Sequence, residues 1–160
     1  LKYFLFEYEE FLKSEAKETN DKVSLNDFDE TSIEHIIPQD YSVNWLDIVD
    51  DFTNPIVEED NKIQARKVMI NTLGNLTILK NGKNSSLGNK GWSDKRERYR
   101  TGSYNEIAIS NYSEWTTQNI CERGIEMIRF LESKVTGLKF TDEEMKKTLF
   151  YDNYIIQRFE

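Results

Sequence analysis

The chain has one cysteine, one histidine and a deficit of basic residues. Cys121 alone leaves no internal disulfide framework and no cysteine-rich zinc site. It fits a reducing cytoplasm, and its apolar helical surroundings point to a small buried hydrophobe. Nowhere do the ~18 apolar residues needed to span a bilayer follow one another, and no signal-peptide pattern opens the chain. A cytoplasmic protein without a membrane partner is therefore expected. Lys and Arg number 21 against 29 Asp and Glu, for a net charge of −8, which taken alone counts against a nucleic-acid binder. Internal repeats and low-complexity segments are also missing. What is present suffices for a core: of 160 residues, 38% are hydrophobic and 12% aromatic, so wholesale disorder is excluded. The chain opens at Leu1 rather than at a methionine, which gives the expectation of a piece of a longer protein.

The charge is uneven. Lys80, Lys83, Lys90, Lys95, Arg96, Arg98 and Arg100 share one short window with only Asp94 and Glu97 as acids. The acids gather elsewhere, as at Glu7, Glu9, Glu10, Glu15 and Glu18, and again from Asp47 to Asp60. A basic strip on an acidic body gives local phosphate affinity with little non-specific binding. Lys83, Lys90, Lys95, Arg96 and Arg98 are the candidate nucleic-acid contacts. The competing reading is a plain solvated helix face.

Periodicity predicts a helix over Tyr3–Lys17, with Phe4, Tyr8, Phe11 and Leu12 on one side and glutamates on the other. Thr31-x-x-Glu34 matches a helix capping box, but Ile36, Ile37 and the following Pro38 favour a short strand at Ile33–Ile37. The stretch from Gln39 to Gly74 is too long for a plain hairpin loop and must carry structure of its own. Helices are predicted at Asn44–Phe52 and Glu58–Asn71, and Gly74 suits a helix stop or tight turn. Asn75–Leu79 reads as the second strand, and Lys80-Asn81-Gly82-Lys83 as a turn. An irregular or short helical piece follows to Gly91, and Ser93 caps a helix Asp94–Arg100. A longer helix is predicted over Thr116–Lys134, ended by Gly137. Thr141 opens a last helix towards Phe150, and Tyr151–Phe159 is ambiguous between strand and helix. Trp45, Trp92 and Trp115 are expected in the core.

The chemistry-bearing residues stand in two segments: Ile33-Glu34-His35-Ile36-Ile37-Pro38-Gln39, and Leu73-Gly74-Asn75-Leu76-Thr77-Ile78-Leu79 with Asn84 nine positions after Asn75. Phosphodiester hydrolysis needs a base for water, a cation for the developing charge, and groups that position both. A neutral histidine is a natural base near pH 7, and magnesium prefers carboxylate and amide oxygens. Glu34, His35, Asn75 and Asn84 supply that set. The duller alternative is a hydrogen-bonded core histidine, a surface acid and turn asparagines.

Glu34-His35-Ile36-Ile37-Pro38-Gln39, then Gly74-Asn75-Leu76, then Asn84, resembles the HNH motif of the ββα-metal nucleases. With Asn84–Asn89, Lys90-Gly91-Trp92, Lys95, Tyr99, Trp115, Ile120 and Arg123, the chain resembles the C-terminal domain of GmrSD-type modification-dependent restriction enzymes. The likeness runs from about Phe28 to about Leu131. It implies an α+β fold, in which a small β-hairpin and a helix form the HNH-like core, the hairpin loop carries a helical insert, and the rest is mostly helical. It also implies a nuclease domain over residues 1–137, with residues 138–160 as an extension packed on it.

The implied activity is metal-dependent DNA endonuclease, in restriction of foreign or modified DNA as anti-phage defence. His35 is the implied general base and Asn75 holds the imidazole. Glu34 and Asn84 ligate Mg2+ or Mn2+, with Asn81 and Asn89 as competitors for the Asn84 position. Lys95 contacts a phosphate. DNA is the partner, together with an upstream nucleotide-hydrolysing sensor domain. The rivals are a catalytically inactive HNH-like module that binds nucleic acid or a protein, and a purely helical interaction domain.

Overall fold

The computed structural model describes residues 1–41 and 43–150; the ambiguous Tyr151–Phe159 segment lies outside them. The chain forms two compact units. The first holds Leu1–Asn44 and Leu76–Glu114; the second holds Trp45–Asn75 and the chain from Trp115. The chain thus leaves the first unit between the two strands of a hairpin and returns to it for the second strand.

In the first unit, helix α1 (Lys2–Glu15) buries Leu5, Phe6, Tyr8 and Glu9. The expected stripe is therefore corrected: a glutamate lies on the buried side. Its carboxylate accepts the backbone N–H groups of Tyr104 and Asn105, both at 2.7 Å, at the start of helix α6 (Tyr104–Ser110), and a buried charge needs such donors. A 3-10 turn (Leu25–Glu30), capped by the Ser24 hydroxyl, feeds strand β1 (Thr31–His35). Strand β2 (Leu76–Lys80) pairs with it antiparallel, from Thr31 opposite Lys80 to His35 opposite Leu76. The strand at Thr31 is as expected, shifted two residues earlier. It stops at His35, and Ile36 and Ile37 turn fully into the interior before Pro38.

Helix α4 (Asn81–Leu87) starts directly after β2. The Asn81-Gly82 turn predicted there is corrected to the first turn of a helix, which packs on both strands. The real break comes at Gly88, whose φ of 42° is left-handed and suits glycine. Helix α5 (Trp92–Tyr99) begins at Trp92 with Gly91 as its cap, so Ser93 is not the cap. Helix α6 opens on a Ser103/Glu106 capping box that the sequence reading passed over.

In the second unit, helices α2 (Leu46–Thr53) and α3 (Glu59–Asn71) form the insert expected between the strands. Helix α7 (Thr117–Lys134) is capped by Thr116 with Asn119, and α8 (Asp142–Phe150) packs on it. Trp45, Phe52, Met69, Trp115, Ile120 and Met127 are buried here, and so is Cys121. Burial pushes the Cys121 thiol up to about 11. Trp92, expected in a core, is only half-buried and donates its indole N–H to Ser113 O at 3.1 Å. Among the described residues no helix is long and apolar enough to cross a membrane.

Candidate active site

The site grows from the end of β1. Alternation along a strand puts Ser32 and Glu34 on one face, and α4 covers that face. Asn84 fixes the packing: its Nδ2 donates to Ser32 Oγ at 2.8 Å, with a longer approach of 3.4 Å to Ile33 O. Because the amide nitrogen is used this way, its oxygen points elsewhere; among the described residues no hydrogen bond to it is found.

His35 is the last residue of the strand, half-buried. Pro38 carries no N–H and cannot prolong a ladder, so the chain curls around the strand end. The result is an open cavity of about 260 Å³ whose polar lining is Glu34, His35, Gln39, Asp40, Asn84 and Asn89. Three of the four residues proposed from sequence therefore meet in one place. Of the competing asparagines, Asn84 and Asn89 line the cavity, while Asn81 is exposed on the first turn of α4. Asp40 is a lining carboxylate that the motif did not single out; its only sequence signal was its place five residues after His35.

Glu34 is buried, 6% exposed, and is not alone. Lys95 of α5, 0% exposed, donates to Glu34 Oε1 at 2.5 Å, to His35 O at 3.1 Å and to Ile36 O at 3.0 Å. An ammonium has three protons, and each has an acceptor here. Burial pushes the Glu34 carboxyl above its ordinary value, against the opposing pull of the Lys95 charge. The same burial pushes the Lys95 ammonium down, against the pull of Glu34. A contact this short between such groups is a charge-assisted bond. Lys95 is thus an internal partner of the site rather than a surface phosphate contact. The sequence signal was present: Trp92, Lys95 and Tyr99 recur at helical spacing on the half-buried to buried side of α5.

Asn75 sits in the second unit, fully buried, one residue before β2. Its Nδ2 donates to Ile70 O at 2.8 Å, and its Oδ1 accepts the Trp115 indole N–H at 3.3 Å. The amide thus braces the tight turn at Leu73–Asn75. The preceding Gly74 owes its place to a close approach rather than to a left-handed turn. A Cβ there would lie 1.8 Å from the Ile120 carbonyl oxygen of α7, and Arg123 donates to Gly74 O at 2.8 Å.

The other basic residues divide. Lys90 and Arg98 are exposed. Arg98 donates to Ser86 Oγ at 3.0 Å, and Arg96 Nε to Ser110 O at 2.9 Å. Lys83 pairs with Glu106 and donates to Arg98 O at 2.9 Å. It also lines, with Lys22 and Lys80, a second cavity of about 330 Å³. Lys22 lies far outside the basic window, so window counting could not find it. Among the described residues no three His, Cys, Asp or Glu side chains cluster to hold a metal ion.

A strand-strand-helix scaffold with a histidine, a carboxylate and an amide at one strand end has the groups a hydrolase of phosphodiesters needs. The comparison with protein families agrees. The model of the C-terminal domain of GmrSD restriction endonucleases matches residues 1–130, and the chain belongs to that family. Neither a curated protein nor a solved structure matches it.

Proposed function

We propose that this chain is a metal-dependent DNA endonuclease of the HNH type, with β1, β2 and α4 as its ββα-metal core. The observation that carries the reading is the convergence of Glu34, His35 and Asn84 on one cavity at the end of β1. Family membership supports a restriction-endonuclease role; on this reading the substrate is foreign or modified DNA and the role is defence. Selection of the DNA falls to a nucleotide-hydrolysing sensor domain upstream.

His35 is the general base. It takes a proton from the water that attacks phosphorus, which is imidazole chemistry suited to neutral pH. The cavity suits a hard cation, since its polar lining offers carboxylate and amide oxygens and no thiolate. Glu34 and Asn84 would hold that cation. When bound, Mg2+ or Mn2+ supplies Lewis-acid neutralisation of charge at the phosphoryl group. Asn75 holds the imidazole through a backbone or side-chain hydrogen bond, while its amide braces the Leu73–Asn75 turn. Lys83, Lys90, Arg96 and Arg98 supply the basic flank for the backbone.

The test is relaxation of supercoiled plasmid by the purified chain. Wild type is expected to nick with Mg2+ or Mn2+ and to stop in EDTA. His35→Ala is expected to lower the rate by about 10²–10⁴-fold with an unchanged circular-dichroism spectrum. Undiminished nicking by that variant sinks the base assignment. One observation favours a second reading, a binding module without catalysis: Glu34 already has a cationic partner in Lys95. Retention of DNA without cleavage, indifferent to metal, would establish that alternative.

A further inference from the structure

We infer that Lys95 is a positioning residue of the nuclease site, holding the Glu34 carboxylate and the backbone after His35 in their working arrangement from inside the protein. The inference deepens the nuclease reading and rests on it. Its basis is the three-way grip of one ammonium. Lys95 reaches Glu34 Oε1 at 2.5 Å, His35 O at 3.1 Å and Ile36 O at 3.0 Å. One bond goes to the side chain proposed as cation ligand. The other two go to the carbonyls of the proposed base and of the residue after it. Those carbonyls lie where the ladder with β2 ends, His35 being opposite Leu76 in the last pair of the register. The lysine therefore adds two bonds at the strand end.

The platform from which Lys95 reaches is itself fastened. One residue along α5, Arg96 Nε donates to Ser110 O at 2.9 Å. At the head of the helix, Trp92 Nε1 donates to Ser113 O at 3.1 Å. Catalytic groups held by side chains on an anchored helix stay within the narrow geometry that chemistry demands.

Stability alone does not account for the residue. Burying an ammonium and a carboxylate costs more desolvation than a well-packed apolar pair of similar volume, and such replacements are often neutral or stabilising. A methionine would fill the Lys95 volume without that cost. It would not grip two carbonyls and a carboxylate. Nor does Lys95 serve the substrate directly, since at 0% exposure it offers nothing to a phosphate.

The chain's single histidine makes the test direct, because the imidazole signals in an NMR spectrum of the whole protein belong to His35 alone. Lys95→Met is expected to shift or broaden those signals. It is also expected to lower kcat for plasmid nicking by about 10²-fold, the scale of a misplacement near 1 Å. KM for DNA and the salt dependence of DNA binding in EDTA should stay as in wild type. A folded Lys95→Met protein with wild-type kcat and wild-type imidazole signals overturns the inference. A salt slope reduced by about 1 overturns it in favour of a phosphate contact.

Should Lys95→Met fail to fold, Glu34→Gln and the double variant Glu34→Gln/Lys95→Met take its place. Glu34→Gln keeps the grip on the two carbonyls and the double variant removes it, so the His35 signals of the two are expected to differ. Identical signals overturn the inference. Failure of wild type to nick at all would instead overturn the nuclease reading, and the comparison of imidazole signals would still decide whether Lys95 positions His35.

Discussion

Asn75 does structural work that its motif did not announce. Its amide satisfies two buried groups at once, the Ile70 carbonyl and the Trp115 indole N–H. Its position in the motif was legible; its partners were not, because Trp115 lies forty positions away in the chain. Asn75→Ala strands both groups in the interior, where each unsatisfied partner costs about 1–3 kcal/mol. The expected loss is about 3 kcal/mol, read as a lower midpoint in urea at an unchanged slope. A loss under about 1 kcal/mol would mean that the brace is dispensable. Glu34 carries the same lesson in reverse. Its adjacency to His35 marked it at once, but its burial beside Lys95 depends on a helix some sixty residues on.

At the level of elements, the two strands of the candidate site were readable because their signals are local, whereas the start of α4 was not. Ile33, Ile36, Ile37 and Pro38 argued for a strand with an abrupt end, and the strand does end abruptly, at His35, two residues before the expected Ile37. The error at Asn81-Gly82 is equally instructive. That dipeptide favours a turn, but α4 packs on both strands, and packing outweighs a propensity of roughly 1 kcal/mol. Two glycines of the second unit separate packing from propensity. At Gly74 an added Cβ meets the backbone carbonyl of Ile120 at 1.8 Å; at Gly124 it meets the end of the Leu149 side chain at 2.6 Å. A helix carbonyl cannot move aside, whereas a leucine tip rotates. Gly74→Ala is therefore expected to cost about 3 kcal/mol or more. Gly124→Ala, with helix propensity in its favour, should stay within about 1 kcal/mol of wild type. Equal midpoints for the two in thermal or urea unfolding would refute the argument.

At the scale of the whole molecule, an acidic chain carries a buried acid. Glu9 is 1% exposed. Burial pushes its carboxyl from 4.5 up to about 7, with the amide donors at Tyr104 and Asn105 opposing the shift. The folded chain then holds this proton more tightly than the unfolded chain does. The stabilisation is fully present below the unfolded value near 4.5 and is lost as pH rises through about 7. Wild type is expected to lose on the order of 3 kcal/mol between pH 5 and pH 8 relative to Glu9→Gln, which cannot titrate there. Urea midpoints of both proteins across that range test it, and parallel curves would show that Glu9 ionises as freely folded as unfolded.

The sequence by itself determined the family to which the chain belongs. A lone histidine behind a glutamate, two asparagines at a set offset and a break at Pro38 are local facts, and local facts survive without coordinates. It also determined that structure must fill the long stretch between the strands, because so many residues cannot hang loose in a compact protein. Only the tertiary structure decided which face each side chain took. Lys95 went inside, Glu9 went inside, and Asn75 turned to Trp115, because burial is settled by what a remote element brings against a residue and not by the residue's own character.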